Sequence, residues 1–299
     1  MTVRVSPITD ADVGPVAEFL HAHLNSRIPA GAWAEAVRVP WGVDAPNHGF
    51  MLVSGDGDGD GDGSGGGGGG GVVGVYLAFY SVRDIDGRAE RFCNLGAWCV
   101  RPDQRFHSVK LLKALLAQEG YHFTDLSPSG AVIPLNTRLK FRFLDTTTAL
   151  VPNLPWPTRP GRDLISSDPA VIGATLTGAA LDLYRDHAGT RAARHLVLKR
   201  GGDWCYVVFR RDRRKSLPLF VSILHVSNVE LFRAMARPLA RHLLLRHGAL
   251  ASLAELRVVT HRPRPSLLLR AHRRKMYRSA HLEPDHIDYL YSELVCVAW

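Results

Sequence analysis

The fold is decided by AWCVRPDQRFHSVKLLKALL, residues 97–116. An apolar strand ends at Val100, a short basic turn follows, and an amphipathic helix begins almost at once. Four leucines recur at helical spacing on one face of that helix: Leu111, Leu112, Leu115 and Leu116. Strands that alternate with amphipathic helices are typical of layered α/β domains. The stretch therefore predicts an α/β domain.

The turn between this strand and this helix carries three cations, Arg101, Arg105 and Lys110. The first N–H groups of a helix have no partner inside the helix, and the helix dipole makes that end positive. These groups and the cations together predict a binding place for phosphate groups. The alternative is an ordinary strand-to-helix turn that binds nothing.

The segments before and after this stretch extend the α/β pattern over residues 1–150. An amphipathic helix is predicted to begin after Thr9, and two strands are predicted at 49–54 and 72–84. Between these strands lies a tract of glycine and aspartate, residues 55–71. Because glycine loses the most backbone entropy on ordering, we expect this tract to be a flexible loop in an overgrown hairpin.

A proline-rich segment separates the two halves of the chain. Four prolines lie within residues 151–161, which predicts an extended linker. Residues 162–299 then repeat the succession of the first half, with a hairpin, a buried strand, a helix, a strand, a helix and a strand. In this interpretation the last strand pair is 253–261 and 289–299, and the last helix is 264–278.

Composition and charge limit the classes of function. The chain has 37 Lys and Arg against 28 Asp and Glu, so its net charge is +9, which favours an anionic partner. A hydrophobic fraction of 46% is ordinary for a globular protein. No window approaches the roughly 18 apolar residues of a membrane span, and no signal-peptide core begins the chain, so we expect a cytoplasmic protein.

Cysteine and histidine patterns predict no metal site. The four cysteines form no CxxC pair and lie in apolar runs, which is typical of buried free thiols. The fourteen histidines form no compact ligand set such as HExxH. We therefore expect neither a disulfide framework nor a bound metal.

The stretch at 97–116 resembles the GNAT superfamily of acyl-CoA N-acyltransferases. In that family the fourth strand ends in Val-x-Pro, and an Arg-x-x-Gly-x-Gly/Ala loop holds the pyrophosphate of coenzyme A. Val100, Pro102 and Arg105 match this pattern in register. The resemblance covers about residues 3–145. It implies an α/β fold of tandem GNAT-like domains, each a mixed, mostly antiparallel sheet flanked by helices, with the acyl-CoA site in domain 1–150 and a non-catalytic domain at 162–299.

The resemblance also implies which residues contact coenzyme A. The backbone N–H of Cys99 or Val100 would meet the thioester oxygen. Both loop glycines are replaced, by Ser108 and Lys110, so binding of the phosphates would depend on side chains. The predicted cofactor-binding residues are Cys99, Val100, Arg105, Phe106, His107, Ser108, Val109 and Lys110.

Two further positions are candidate catalytic residues by the same resemblance. Ser129 stands at an asparagine of the family motif, and Asn136 stands where the family often has a tyrosine that protonates the departing thiolate. An amide donates a hydrogen bond but cannot deliver a proton. The general base stays open among Glu90, Asn94 and Asp125, because the sequence does not fix which way these polar side chains face.

These observations predict an acyltransferase. The donor would be an acyl-CoA thioester or an acyl carrier protein, the acceptor a small-molecule amine in the groove between the halves, and no metal would take part. Two alternatives stay open. One is an aminoacyl-tRNA-dependent transferase, since basic runs in the second half suit RNA phosphates. The other is a non-catalytic GNAT-like binding protein, since the loop glycines and the tyrosine are missing.

Overall fold

Two β-sheets organise the chain in the computed structural model, which describes residues 2–55, 71–158, 161, 163–214, 217–270 and 272–299. The predicted flexible glycine and aspartate loop lies outside the described residues apart from its two ends, Gly55 and Gly71. Two positions of the predicted linker, 159 and 160, also lie outside them.

The first half of the chain alternates strands and helices. Its elements are β1 (Thr2–Pro7), α1 (Val13–His23), α2 (Ala30–Val37), β2 (Gly49–Gly55), β3 (Val72–Ile85), β4 (Arg88–Val100), α3 (Ser108–Leu116), β5 (His122–Asp125), α4 (Val132–Arg138) and β6 (Arg142–Phe143).

The second half begins with a strand at the predicted boundary. Its elements are β7 (Thr148–Pro152), β8 (Asp163–Ser166), α5 (Pro169–Thr175), α6 (Gly178–Ala188), β9 (Ala193–Arg200), β10 (Asp203–Arg214), β11 (Leu217–Val226), α7 (Val229–Ala234), α8 (Ala236–His247), β12 (Ala251–Glu255), α9 (Leu256–Val259), β13 (Leu267–Leu269), β14 (Met276–Arg278) and α10 (Glu293–Cys296).

Each sheet has seven strands among the described residues, and each contains one parallel pair. The strand orders are β1-β2-β3-β4-β5-β14-β6 and β13-β7-β12-β11-β10-β9-β8. In the first sheet β4 and β5 are parallel and are joined through α3, and in the second β11 and β12 are parallel and are joined through α7 and α8. The remaining pairs are antiparallel. The predicted architecture of two mixed, mostly antiparallel sheets flanked by helices is confirmed.

The two sheets exchange strands. From the second half, β14 inserts between β5 and β6 of the first sheet, with Met276 opposite Asp125. From the boundary region, β7 inserts between β12 and β13 of the second sheet. The domain limits at 150 and 162 stay predictions, and the exchanged strands tie the two halves together across them.

The amphipathic helices pack as their sequence patterns predict. In α1 the apolar face is buried against the sheet through Val13, Val16 and Leu20. In α3 the three leucines Leu111, Leu112 and Leu115 are fully buried, since they lie on one face at helical spacing. Burying each such side chain contributes roughly 2 kcal/mol of the free energy of folding. No helix among the described residues has the length and the apolar character that crossing a membrane requires.

The last third of the chain departs from its predicted elements. The segment 264–278 is not a helix but holds the short strands β13 and β14, which complete the edges left open by β7 and β5. The predicted strand 253–261 divides into β12 and α9. The predicted terminal strand 289–299 contains α10 instead, which Ser292 caps by accepting a hydrogen bond from the N–H of Leu294. Apolar runs this short do not distinguish strand from helix by periodicity.

Candidate functional site

Strands β4 and β5 separate after a short parallel contact. They pair only from Phe92 opposite His122 to Asn94 opposite Thr124. Beyond Asn94, β4 also carries a bulge, because its register against β3 shifts and Ala97 has a left-handed φ of 54°. Past Asn94, no described strand pairs with the edge of β4 that faces β5. A wedge-shaped opening results between the two strands.

One of the two predicted N–H donors faces this opening. The N–H of Arg101 donates to the carbonyl of Val73 on β3, over 2.9 Å. Because successive N–H groups of a strand point to opposite sides, Cys99 also points its N–H to β3, whereas Val100 points its N–H to the open side. Of the two candidates from the sequence, the geometry therefore favours Val100.

A cavity of about 830 Å³ lies where the opening faces the second sheet. From the first half it is lined by residues at the ends of β3, β4 and β5 and in the turn after β5: Tyr76, Gly96, Ala97, Trp98, Asp125 and Ser129. From the second half it is lined mainly by polar and charged residues of β10 to β12 and the segment before β14: Arg210, Asp212, Arg213, Glu255, Arg273, Arg274 and Lys275. A cavity of this size is ordinary for small-molecule sites.

The carboxyl group of Asp125 lies at the first-half wall of this cavity. Its Oδ2 accepts a hydrogen bond from Nδ2 of Asn136 over 2.8 Å, and the backbone N–H of Ser127 also favours its charged form. Burial, followed by repulsion from Glu293, raises the pKa of Asp125 from 3.8 to about 7. The side chain therefore changes its charge near neutral pH, as a general base must.

Glu293 of α10 lies behind Asp125 and reaches it from the far end of the chain. Its Oε1 accepts a hydrogen bond from Ser127 Oγ over 2.6 Å, and its backbone N–H donates to Asn94 Oδ1 over 3.1 Å. Its Oε2 is buried without a hydrogen-bond partner among the described residues. Burial raises the pKa of Glu293 from 4.5 to about 6. Two buried carboxyl groups are therefore neighbours, and of the two Asp125 lines the cavity.

The position of Glu293 requires a glycine in β4. A Cβ placed on Gly96 would lie 3.0 Å from the Cβ of Glu293 and 3.2 Å from the ring of Phe79. Gly96 thus lets α10 approach the strand next to the bulge.

Two aromatic rings line the same wall. The rings of Tyr76 and Trp98 stack with centroids 4.5 Å apart and planes 9° apart. The indole Nε1 of Trp98 is buried without a hydrogen-bond partner among the described residues. The stack gives the cavity a flat apolar face beside Asp125.

Buried ion pairs form the opposite wall. Arg210 is 4% exposed and donates from Nη1 to the carbonyl of Leu294 over 3.1 Å. Arg273 lies 2.7 Å from Asp212, which also accepts a hydrogen bond from Ser222. Burial opposes ionisation of Asp212, but Arg210 and Arg273 hold its pKa below its usual value.

A second buried pair adjoins this one. Lys275 pairs with Glu255, and its Nζ lies 3.4 Å from the centre of the Tyr289 ring. The hydroxyl of Tyr289 donates to the same carboxylate. Burial lowers the pKa of Lys275 although Glu255 opposes this effect.

The predicted phosphate turn lies outside the cavity lining. Residues Pro102–His107 form a 3-10 helix that leads directly into α3. Arg105 is exposed and its side chain makes no hydrogen bond or ion pair with any described residue. Phe106 is 74% exposed beside Val109 at 39%. The turn is open to solvent, so nothing in the described residues blocks the approach of an anion.

The remaining residues of the predicted turn divide between surface and core. Lys110 is exposed on the first turn of α3, and Ser108 is half-buried at its first position. The half-exposed imidazole of His107 has its pKa lowered by desolvation and by Lys110. Cys99 is buried, which raises the pKa of its thiol to about 11, so it is not a reactive thiolate.

The two predicted catalytic residues occupy different places. Ser129 lines the cavity. Asn136 is fully buried behind Asp125, with its Oδ1 lacking a hydrogen-bond partner among the described residues. Of the candidate bases, Asp125 lines the cavity and Asn94 supports Glu293, whereas Glu90 is not among the residues that line it.

Sequence reasoning missed Glu293, Arg210 and Asp212. The signal for Glu293 is a single acid within the apolar run YLYSELVCVAW, and the signal for the other two is a pair of opposite charges two residues apart in a strand. Such patterns also occur on ordinary surfaces, so they did not point to a site.

Comparisons with known proteins give a fold but no close relative. A scan against protein-family models finds no match, and a search of curated proteins finds none either. A search of solved structures does find similar chains.

Three of these chains represent the similarity. A conserved protein from Enterococcus faecalis, described as a probable N-acyltransferase, is 13% identical with a TM-score of 0.57, covering 97% of this chain and 75% of its own. A GCN5-related N-acetyltransferase from Anabaena variabilis is 10% identical with a TM-score of 0.56, covering 93% and 72%. Saccharomyces cerevisiae N-myristoyltransferase with bound myristoyl-CoA is 9% identical with a TM-score of 0.52, covering 97% and 87%.

These similarities concern the fold alone, because the sequence identities are low. The chain has the fold of the GCN5-related N-acetyltransferases, the superfamily that its sequence resembles around residues 97–116. The expected fold family is therefore confirmed.

Proposed function

We propose that this chain transfers an acyl group from a coenzyme A thioester to an amine acceptor in the cavity between its two sheets. The observation that carries the proposal is the carboxyl group of Asp125, whose pKa lies near neutrality beside the open side of β4. A general base and a backbone donor on either side of one opening are the two groups that aminolysis of a thioester requires.

The donor would bind with its thioester at the wedge between β4 and β5. The N–H of Val100 would donate to the thioester oxygen, where negative charge develops as the amine attacks. Further out, Arg105 and Lys110 would hold the phosphate groups through charge-assisted hydrogen bonds. The residues present fit this donor because the turn is exposed and the side chain of Arg105 makes no hydrogen bond or ion pair with the described residues. Saccharomyces cerevisiae N-myristoyltransferase, a chain of similar fold with bound myristoyl-CoA, supports an acyl-CoA as the donor.

Asp125 would take the proton of the attacking amine. In its charged form the carboxylate accepts this proton while the nitrogen bonds to the carbonyl carbon. The C–S bond then breaks, and coenzyme A leaves as a thiolate that takes a proton from solvent. Asn136 holds the carboxylate in place from behind. Repulsion from Glu293 favours the protonated product of this step. Asn136 is a positioning residue in this arrangement, because it contacts Asp125 and does not line the cavity.

The basic wall would select the acceptor. Arg213, Arg273 and Arg274 line the cavity opposite Asp125. A cavity wall with this charge favours an amine that also carries an anionic group such as a carboxylate or phosphate. Ser129, which is exposed and lines the same cavity, is a candidate hydrogen-bond partner for the same acceptor.

Non-catalytic binding is the second candidate, favoured by the replacement of both loop glycines by Ser108 and Lys110. A donor that is an acyl carrier protein, or an aminoacyl-tRNA, stays a prediction from the basic charge of the chain.

One experiment separates the two candidates. Purified chain is incubated with acetyl-CoA or myristoyl-CoA and a mixture of amines, half of which carry a carboxylate, and free coenzyme A and acylated products are measured by mass spectrometry. Transfer by the native chain and its loss in Asp125→Asn, with acyl-CoA binding retained, supports catalysis. Binding of acyl-CoA by both chains without any product supports the second candidate, and absence of binding contradicts the proposal.

A further inference from the structure

Three metal-ligand side chains meet at the opposite end of β4, outside the lining of the cavity. Nε2 of His122 lies 2.9 Å from Oε2 of Glu90, and Nε2 of His281 lies 3.0 Å from Oε1 of the same carboxylate. One donor atom of each residue lies within 4.8 Å of the other two. The three residues come from β4, from β5 and from the segment after β14, so the cluster is formed only by the folded chain.

We propose that Glu90, His122 and His281 bind a divalent transition-metal ion, with Zn²⁺ as the ion that fits the donor set best. Imidazole nitrogen and carboxylate oxygen are the usual protein ligands of Zn²⁺ besides cysteine sulfur. Three protein ligands leave a fourth position of a tetrahedral site open. His281 is 54% exposed at its side chain, so this position faces solvent and would be filled by water.

The backbone holds two of the ligands in place before an ion binds. Phe92 pairs with His122 across the parallel strands, and Glu90 lies two residues before Phe92 on the same face of β4. The imidazole of His122 is 8% exposed and its ring packs 5.3 Å from that of Phe92. Glu90 and His122 therefore approach each other from neighbouring strands with little freedom to separate.

The third ligand is fixed by a turn. The hydroxyl of Ser279 accepts hydrogen bonds from the N–H of His281 at 3.1 Å and of Leu282 at 2.7 Å. Leu282 is 3% exposed and anchors the turn in the core. The rings of His281 and His122 meet edge to face with centroids 4.9 Å apart. This turn holds the imidazole of His281 over the carboxylate of Glu90.

The ion would serve the fold and not the acyl-transfer reaction. Glu90 precedes Ala97 of the bulge by seven residues in the same strand, a length of about 23 Å at the rise of a β-strand. The ion would join the segment after β14 to strands β4 and β5 of the first sheet. It would therefore strengthen the same link between the two halves that the exchanged strand β14 makes.

The inference is tested on the untagged full chain after treatment with a chelator. Titration with ZnCl₂ in a calorimeter is expected to give one saturable site per chain and a rise in the thermal unfolding midpoint. Titration with CoCl₂ is expected to give visible absorption bands of a four-coordinate site. No saturable binding of either ion overturns the proposal.

Variants locate the site. His281→Gln removes an exposed ligand and is expected to weaken Zn²⁺ binding at least about tenfold, the lower limit found even for residues that only support a ligand. The matched control is His286→Gln, another histidine of the same segment, which pairs with Asp86 at 3.4 Å and is expected to leave binding unchanged. Equal Zn²⁺ affinity of His281→Gln and the native chain overturns the assignment, whatever the outcome for acyl transfer.

Discussion

Asn136 donates a hydrogen bond from Nδ2 to Oδ2 of Asp125 over 2.8 Å, and both side chains are almost entirely buried where α4 meets the end of β5. The amide of Asn136 fixes one oxygen of the carboxylate of Asp125, and Asp125 lines the cavity. Burial of Asp125 raises its pKa, and the hydrogen bond from Asn136 opposes that rise. The pair therefore sets both the direction and the basicity of the carboxyl group that we assign as the base.

Replacement of the base should slow acyl transfer strongly without removing the donor site. We expect Asp125→Asn to lower kcat by about 10² to 10⁴, the contribution of a positioned general base, while the Kd of acyl-CoA changes little. Asparagine keeps the shape of the side chain, so the cavity should be preserved. Release of coenzyme A measures the rate, and equilibrium binding measures the Kd. A rate within a factor of three of the native chain would show that another group accepts the proton.

The native rate should also depend on pH in a specific direction. A base works only when it is charged, and the pKa of Asp125 is raised to about 7. The rate of transfer should therefore rise with pH between 5 and 8, with a midpoint near 7, and level off above it, once the ionisation of the amine is corrected for. Asn136→Ala removes a hydrogen bond to the charged form, so its midpoint should move to higher pH. An unchanged midpoint of the pH dependence would mean that Asn136 does not affect the pKa of Asp125 and has a purely structural role.

Protein stability should respond to pH through Glu293. Its pKa is raised from 4.5 to about 6 in the folded chain, so the folded state holds a proton that the unfolded state has lost. This contribution to stability is full below pH 4.5 and is lost as pH rises through 6. We expect Glu293→Gln, which stays neutral, to raise the free energy of unfolding by roughly 2 kcal/mol at pH 8 and by much less at pH 4. Urea unfolding measures both values.

The control for this variant is Glu18→Gln on the exposed face of α1, which removes the same charge at the surface. In this control variant the difference between the free energies of unfolding at the two pH values should be the same as in the native chain. If Glu293→Gln instead lowers the free energy of unfolding at both pH values, the hydrogen bonds of the carboxylate stabilise the folded state more than its burial destabilises it.

Binding of the acyl-CoA phosphates by the predicted phosphate turn can be tested by removing one of its charges. Arg105→Ala removes an exposed cation whose side chain makes no hydrogen bond or ion pair with the described residues, so the fold should be retained. Losing one charge-assisted hydrogen bond of about 2 kcal/mol should raise the Kd of acyl-CoA roughly thirtyfold. Lys113→Ala removes an exposed cation of α3, the helix that follows the turn, and should have little effect. If both variants bind alike, the phosphates are held elsewhere.

Local sequence patterns predicted the elements that are determined by interactions between neighbouring residues. The leucine spacing gives α3, and Gly201, with a φ of 61°, lies at the turn between β9 and β10, which form the hairpin predicted for the second half. The resemblance to the GNAT superfamily, which predicted the fold family, rested on one strand, one turn and one helix. These features depend on neighbouring residues, so one sequence suffices for them.

The candidate site depends on contacts that no local pattern contains. The N–H of Glu293 meets Asn94 across 199 positions of the chain, and β14 joins β5 across about 150. The segment 264–278 carried leucines and arginines in an order that fits a helix, but the open sheet edges take its residues as strands. Tertiary pairing outweighs intrinsic preference in such short segments.

The basic wall gives the last test, because it concerns the acceptor and not the donor. Arg213 lines the cavity from β10, is exposed, and makes no hydrogen bond or ion pair with any described residue. Arg273, in contrast, is held by Asp212 at 2.7 Å. Arg213→Ala should therefore raise the KM of a carboxylate-bearing amine about tenfold or more, the effect of one charge-assisted hydrogen bond, with the KM of acyl-CoA and the kcat nearly unchanged. The same variant should not affect an amine without an acidic group. Equal changes for both amines would mean that Arg213 shapes the cavity without contacting the acceptor's anion.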